Sequence, residues 1–232
     1  MRAMILAAGL GTRMRPLTDN CPKPLLKANG KALIEYQIER LVKAGISHIV
    51  INHAYLGQQI EDFVGSGEKW GVNVSYSAEP AGEPLETGGG IFKALNQVSP
   101  DGQPFLVVNG DIWIDLDYSQ LISDCEKSQG SHQDLIHLVM VENPEHNPSG
   151  DFALTETGRL AEKGANKYTF SGVSVLNPKL FDDCESGAFK LAPLFRTAMQ
   201  QKRASGQRYS GFWLDVGTPE RLNELEQHLQ TL

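Results

Sequence analysis

The stretch Ala3-Met4-Ile5-Leu6-Ala7-Ala8-Gly9-Leu10-Gly11-Thr12-Arg13-Met14-Arg15-Pro16-Leu17-Thr18 opens as an apolar run and breaks into a glycine turn that carries a cation. Arg2–Ala8 reads as a strand. A signal-peptide core over Ala3–Leu10 fails on its short length and on Arg13 and Arg15, which follow at once. Glycine lets backbone approach an anion closely and point N–H groups at it. Such a turn at the carboxyl end of a strand is where open α/β sheets bind ligands. Two familiar phosphate motifs fail on spacing. Counted from Gly9, the dinucleotide fingerprint and the P-loop both need a glycine where Met14 stands.

Outward from this turn, His48–His53, Asn73–Ala78 and Phe105–Gly110 read as further strands. Leu33–Ala44, Gly57–Val64 and Gly88–Val98 lie between them, with apolar residues at helical spacing. In the first of these, Leu33, Ile34, Ile38, Leu41 and Val42 make one face. The alternation implies right-handed crossovers and a mostly parallel sheet with helices on both sides. Asp117–Lys127 and Leu135–Val141 continue it. Beyond Asn143 the texture changes, and Pro144, Pro148 and Gly150 mark a loop. Short strands are predicted at Phe152–Thr155, Leu160–Glu162, Tyr168–Leu176 and Gly211–Val216, with a helix over Leu191–Gln201. Thr218-Pro219 reads as an N-cap followed by proline at the first helical position, starting a last helix over Pro219–Gln230. The expectation is one α/β domain over residues 1–232, with halves 1–112 and 113–232 sharing a sheet.

At 232 residues the chain can bury a large core, and 41% hydrophobic with 21% charged residues is ordinary for a globular protein. No run approaches the roughly 18 apolar residues of a membrane span. With no address signal, the cytoplasm is the expected compartment. Cys21, Cys125 and Cys184 show no metal-binding spacing and read as reduced thiols. A net charge of −7 argues against a general nucleic-acid binder. An acidic chain can still bind an anion where a few cations and backbone N–H groups share one cleft. Nothing in the pattern specifies an oligomeric state.

A second cation follows the glycine turn, framed as Pro22-Lys23-Pro24-Leu25. Two prolines stiffen its support, which suits a lysine that must meet one phosphate oxygen. With Arg13 it can hold a polyphosphate at both the transferring and the leaving group. Leu6 to Thr18, followed by Pro22 to Leu25, resembles the signature of the nucleoside-diphosphate-sugar pyrophosphorylases. The resemblance implies a Rossmann-like three-layer α/β/α sandwich, with nucleotide on the 1–112 half and sugar phosphate on the 113–232 half. It implies Gly9, Gly11, Thr12, Arg13 and Lys23 as nucleotide-binding residues. Arg13 would hold the leaving pyrophosphate and Lys23 the α-phosphate, the two catalytic positions.

Leu106-Val107-Val108-Asn109-Gly110-Asp111 describes a buried strand that delivers a carboxylate to the same edge as the glycine turn. Phe212-Trp213-Leu214-Asp215 ends likewise. Two strand-end carboxylates suit a hard Mg²⁺ that completes its octahedron with phosphate oxygens and water. In the resembled family these are the metal positions. Asp115 and Asp117 lack calcium-loop spacing and read as solvated loop residues. Glu83-Pro84-Leu85-Glu86-Thr87-Gly88-Gly89-Gly90 opens a helix, either as a close-packing turn or, by the resemblance, as the base loop with Gly88 and Glu83 reading the base. A carboxylate at Glu83 suits uracil or guanine. Guanylyl members usually carry glycine where Glu86 stands.

For the acceptor, Asn109 can hydrogen-bond the sugar, and the resemblance places a sugar contact at Gly150-Asp151 and phosphate contacts at Glu162-Lys163. The short length and Glu83–Phe92, Phe170–Leu176 and Gly187–Leu194 resemble the compact uridylyltransferases of peptidoglycan recycling, which use UTP and N-acetylmuramic acid 1-phosphate. Their acceptor carries a lactyl carboxylate, and Lys190 or Arg196 is the candidate cation for it. The alternatives are another hexose-1-phosphate uridylyl- or guanylyltransferase, a phosphocholine cytidylyltransferase, and a non-catalytic nucleotide sensor.

Overall fold

The computed structural model describes residues 1–80, 85–128 and 134–231. In chain order its elements are β1 (Ala3–Leu6), β2 (Lys27–Ala28), β3 (Lys31–Ala32), α1 (Leu33–Lys43), β4 (His48–His53), α2 (Gly57–Val64) and β5 (Asn73–Ala78). Then come α3 (Glu86–Val98), β6 (Phe105–Asn109), β7 (Ile112–Ile114), α4 (Tyr118–Ser128), β8 (Ile136–Val141), β9 (Phe152–Leu154) and β10 (Leu160–Ala161). The chain ends with β11 (Lys167–Leu176), α5 (Leu191–Gln200), β12 (Ala204–Arg208), β13 (Trp213–Asp215) and α6 (Pro219–Leu229). Short 3-10 turns at Thr12–Met14 and Lys23–Leu25 carry the two predicted cations.

Among the described residues nine strands form one mixed, mostly parallel sheet in the order β10-β9-β11-β6-β1-β4-β5, with β8 also beside β11 and β12 beside β8. β1 is parallel to β4 and β6, and β4 to β5, whereas β11 runs antiparallel to β6, β8 and β9. Side chains alternate across β1: Ala3 and Ile5 enter one core, and Met4 enters the other. The first core takes Ile34, Ile38 and Leu41 of α1, Ile60 of α2 and Leu121 of α4. The second takes Ile91 and Ala94 of α3 with Phe195 and Ala198 of α5. Helices therefore cover both faces, giving the three-layer sandwich. A third cluster, with Met14, Leu33, Trp113, Leu214 and Leu225, seats the two-stranded β7–β13 sheet and α6 beside the first turn.

The sequence pattern omits three short pieces. β12, Ala-Ser-Gly-Gln-Arg, has neither a β-branched residue nor a clear alternation, and it is a strand because all five residues pair in parallel with β8. β7 and the β2–β3 pair are likewise made by their partners rather than by local pattern. Asp115, read as a solvated loop residue, is exposed and also hydrogen-bonded. It accepts from Arg40 Nη2 and Trp113 Nε1, each at 3.0 Å, and lies 3.3 Å from His228 Nε2. Asp117 is fully exposed and accepts from Ser119 N at 2.9 Å. The three cysteines form no disulfide, and burial pushes the Cys125 thiol up to about 12.

Leu41 is 0% exposed within the first core. Leu41→Ala is expected to lower the unfolding free energy by about 2–5 kcal/mol. Lys43→Ala on the exposed side of the same helix should stay within about 0.5 kcal/mol. Urea denaturation followed by circular dichroism separates the two.

Candidate active site

The register of β1 sets the site. Leu6 stands opposite Asn52 of β4 and Asn109 of β6, so three strand ends align at one edge. Gly110 N donates to Leu6 O at 2.8 Å, and Ala7 N donates to Asn52 Oδ1 at 2.9 Å. The glycine turn rises from there. Gly11 has φ +63°, and a Cβ on it would stand 3.0 Å from Thr18 Cγ2 and 3.3 Å from Lys23 Cβ. Glycine at 11 is thus required both by backbone conformation and by the close return of the chain. Thr18 Oγ1 donates to Gly11 O at 2.8 Å and closes the loop. Arg13 is exposed on the 3-10 turn, next to Met14, which is buried in the third core cluster.

Lys23, only 8% exposed, sits between Pro22 and Pro24 and sets its Nζ 2.6 Å from Asp111 Oδ2. Asp111 lies between β6 and β7. The antiparallel β7–β13 pair places Asp215 opposite Ile112, and Val216 N donates to Asp111 O at 2.8 Å. The two predicted carboxylates therefore come from adjoining strand ends. Asp215 Oδ2 accepts from Arg221 Nη1 at 3.0 Å. A methyl group on Gly217 would stand 3.0 Å from Asp215 Oδ1 and 3.2 Å from Arg13 Nη2, which puts Arg13 beside this corner. Among the described residues no group of three or more His, Cys, Asp or Glu could hold a metal. A pair of carboxylates fits a hard cation that takes its other oxygens from phosphate and water, and does not fit a cage built wholly of protein.

Three cavities meet at Leu6 and Thr87. One, of about 270 Å³, is walled by Gly9, Leu10, Asn52, Glu79 and Glu86. A second, of about 180 Å³, holds Lys23, Asn109 and Asp111. The third, of about 580 Å³, runs past Asn109, Gly150, Asp151, Lys167, Lys190 and Arg196.

Several predicted residues sit differently from their sequence reading. Gly88 is buried against Phe189 and lines none of these cavities, which Glu86 and Thr87 reach instead. Gly89 N donates to Phe189 O at 3.1 Å and Phe189 N to Leu85 O at 3.2 Å, so the glycines let the 187–189 segment pack tightly on α3. Glu83 lies outside the described residues. Asp151 reaches the large cavity, but its carboxylate accepts from Phe170 N at 2.8 Å and Asn147 Nδ2 at 3.1 Å. Glu162 is not at the wall and lies 3.3 Å from Arg196 Nε. Asn109 faces Gly172, where φ is +87° and the register of β11 against β8 shifts between Phe170 and Ser174. A Cβ at 172 would approach Asn109 Nδ2 to 2.8 Å.

Sequence reasoning missed the buried Asn52–Glu79 pair, 3% and 8% exposed. Asn52 Nδ2 donates to Glu79 Oε1 at 2.7 Å, and Leu85 N donates to Glu79 Oε2 at 3.1 Å. The available signal was a polar residue ending the apolar run Ile49-Val50-Ile51. It also missed Lys167, a cation at the head of an apolar strand, and Arg221.

A Rossmann-like sheet with cations and paired carboxylates at its carboxyl edge defines a phosphate-handling class. The nucleotidyl transferase family model matches residues 2–231, and the chain belongs to that family. It is 52% identical over 229 residues, 97% of each chain, to the N-acetylmuramate alpha-1-phosphate uridylyltransferase of Neisseria meningitidis serogroup B. It is 32% identical to the protein of the same name from Caulobacter vibrioides, covering 94% of this chain and 92% of that one. A Bacillus anthracis structure described as a glucose-1-phosphate thymidylyltransferase in complex with sucrose superposes with a TM-score of 0.84 at 18% identity, covering 100% of this chain and 96% of that one. No helix among the described residues is long and apolar enough to cross a membrane.

Asn52→Ala removes the acceptor for Ala7 N and the donor for Glu79. It should lower the unfolding free energy by about 1–3 kcal/mol, because buried polar groups lose their partners. Unchanged urea unfolding would show that the pair contributes nothing.

Proposed function

We propose that the chain transfers UMP from UTP to N-acetylmuramic acid 1-phosphate, giving UDP-N-acetylmuramate and pyrophosphate in peptidoglycan recycling in the cytoplasm. The observation that carries this reading is the arrangement of cavities: the Lys23–Asp111 chamber shares wall residues Leu6 and Thr87 with both the Asn52–Glu79 cavity and the large one. The base and ribose belong in the Asn52–Glu79 cavity, the phosphates in the Lys23–Asp111 chamber, and the sugar in the large one. The 1–112 half then serves the nucleotide and the 113–232 half the acceptor. The choice of acceptor follows the meningococcal relative.

A sugar-1-phosphate oxygen attacks the α-phosphorus of UTP in line. The new P–O bond forms as the bond to the β-phosphate oxygen breaks, and pyrophosphate leaves with the electron pair. The attacking phosphate is already ionised, so no protein nucleophile or base is required, and the chain contributes positioning and charge stabilisation. Lys23 meets the α-phosphate and Arg13 the departing pyrophosphate, while Gly9, Gly11 and Thr12 bring backbone N–H groups close. Asp111 and Asp215 would hold Mg²⁺, which when bound neutralises charge on the transferring and leaving phosphates. Asn109 and the Gly150-Asp151 wall face the sugar, and Glu162 acts through its contact with Arg196. Lys190, at the large cavity wall, is the cation for the lactyl carboxylate.

Pyrophosphate release is expected with UTP and N-acetylmuramic acid 1-phosphate. Other nucleoside triphosphates, N-acetylglucosamine 1-phosphate and phosphocholine should be poorer. Preference for a sugar without the lactyl group would overturn the acceptor assignment, and no release with any pair would overturn the reaction. Lys190→Met should raise KM for the muramic substrate about tenfold while leaving that for N-acetylglucosamine 1-phosphate unchanged. Asp111→Ala should cost several kcal/mol of barrier, each ~1.4 kcal/mol being tenfold in rate. Pyrophosphate release at the wild-type rate would remove Asp111 from the mechanism.

A further inference from the structure

Neither carboxylate assigned to Mg²⁺ above is bare. Lys23 Nζ lies 2.6 Å from Asp111 Oδ2, with the lysine side chain 9% exposed. Arg221 Nη1 lies 3.0 Å from Asp215 Oδ2, with side chains 15% and 22% exposed. The four formal charges cancel, so a lone divalent cation meets a neutral group where the sequence alone suggests a dianionic one. Both cations are held in place. Lys23 stands between two prolines, and Arg221 lies in the first turn of α6, where its N–H donates to Thr218 Oγ1 at 3.4 Å. His146 supports the second pair, 3.2 Å from Arg221 Nη1 and 3.6 Å from Asp215 Oδ2. Gly217 keeps this corner open, because a Cβ there would overlap the Arg221 guanidinium.

We infer that Lys23 and Arg221 are resident counterions that keep metal off Asp111 and Asp215 until a nucleoside triphosphate arrives. The inference rests on the proposed reading of the two aspartates. A triphosphate gives Lys23 a better partner than Asp111, since its oxygens carry more charge and lie on the path the glycine turn prepares. Arg221 then yields Asp215 to the cation that accompanies the nucleotide, and stays next to Arg13 on the pyrophosphate side. Arg221 is a positioning residue, acting through Asp215. Its signature has an unusual sign. A residue that only orients Asp215 would weaken metal binding when removed, whereas a competing counterion strengthens it.

The test is a titration of the full chain with Mn²⁺ alone, read by electron paramagnetic resonance, and again in the presence of UTP. Wild type should bind Mn²⁺ more tightly with UTP than without. Arg221→Gln should bind Mn²⁺ alone about fivefold more tightly than wild type, the effect of removing one partly exposed ion pair. Arg221→Lys, which keeps the charge, should retain the wild-type affinity. Equal or weaker Mn²⁺ binding by Arg221→Gln, or wild-type binding indifferent to UTP, overturns the inference. A rise in Arg221→Lys equal to that in Arg221→Gln does the same. Asp215→Asn separates the layers: if Mn²⁺ binding with UTP survives it, the metal reading of Asp215 fails. No acceptor is needed, so the outcome is independent of which sugar phosphate is used.

Discussion

β1 is four residues long and is hydrogen-bonded on both sides, to β4 and to β6, so its register decides what stands at the carboxyl edge. With Leu6 opposite Asn52 and Asn109, two polar side chains end apolar strands beside the glycine turn. A slip of one residue would turn Met4 into the core that Ile5 occupies and withdraw Ala7 N from Asn52. The buried alternation of Ala3, Met4 and Ile5 across two cores makes that slip expensive, so packing far from the edge maintains the geometry at it.

The chain is acidic overall, with a net charge of −7, yet this edge concentrates Arg13, Lys23 and Arg221 against two aspartates. Local placement matters more than the sum because screening confines each charge to about 10 Å. The pairing also resolves a folding problem. A nearly buried lysine and a half-buried carboxylate would each be costly alone, and together they satisfy one another.

Much of this was legible in the sequence, for a specific reason. β1, β4 and β6 are legible because each is built on an apolar run, whereas the short β2 and β3 of the same half carry no such pattern, and Asp111 and Asp215 stand out as carboxylates closing apolar runs. β12 was not legible because its strand state comes from β8 and not from its own residues. The Gly88–Gly90 segment was ambiguous for a related reason: glycine shows that something comes close without saying what, and that neighbour is the 187–189 segment. Asn52–Glu79 and Asp215–Arg221 show the remaining limit. Each pair joins residues whose meeting depends on sheet order or on a turn.

The β7–β13 pair has a consequence in the time order of folding. Asp215 ends β13 (Trp213–Asp215), far along the chain from β7 (Ile112–Ile114), its partner strand, which follows directly on Asp111. Contacts of such long sequence separation form late, since loop closure precedes their reward. β1, β4, β5, β6 and both residues of the Lys23–Asp111 contact all precede the second aspartate in the chain. The edge that holds Asp111 is therefore completed only once β13 has been made. An interrupted chain would keep much of the sheet but lack half of the carboxylate pair.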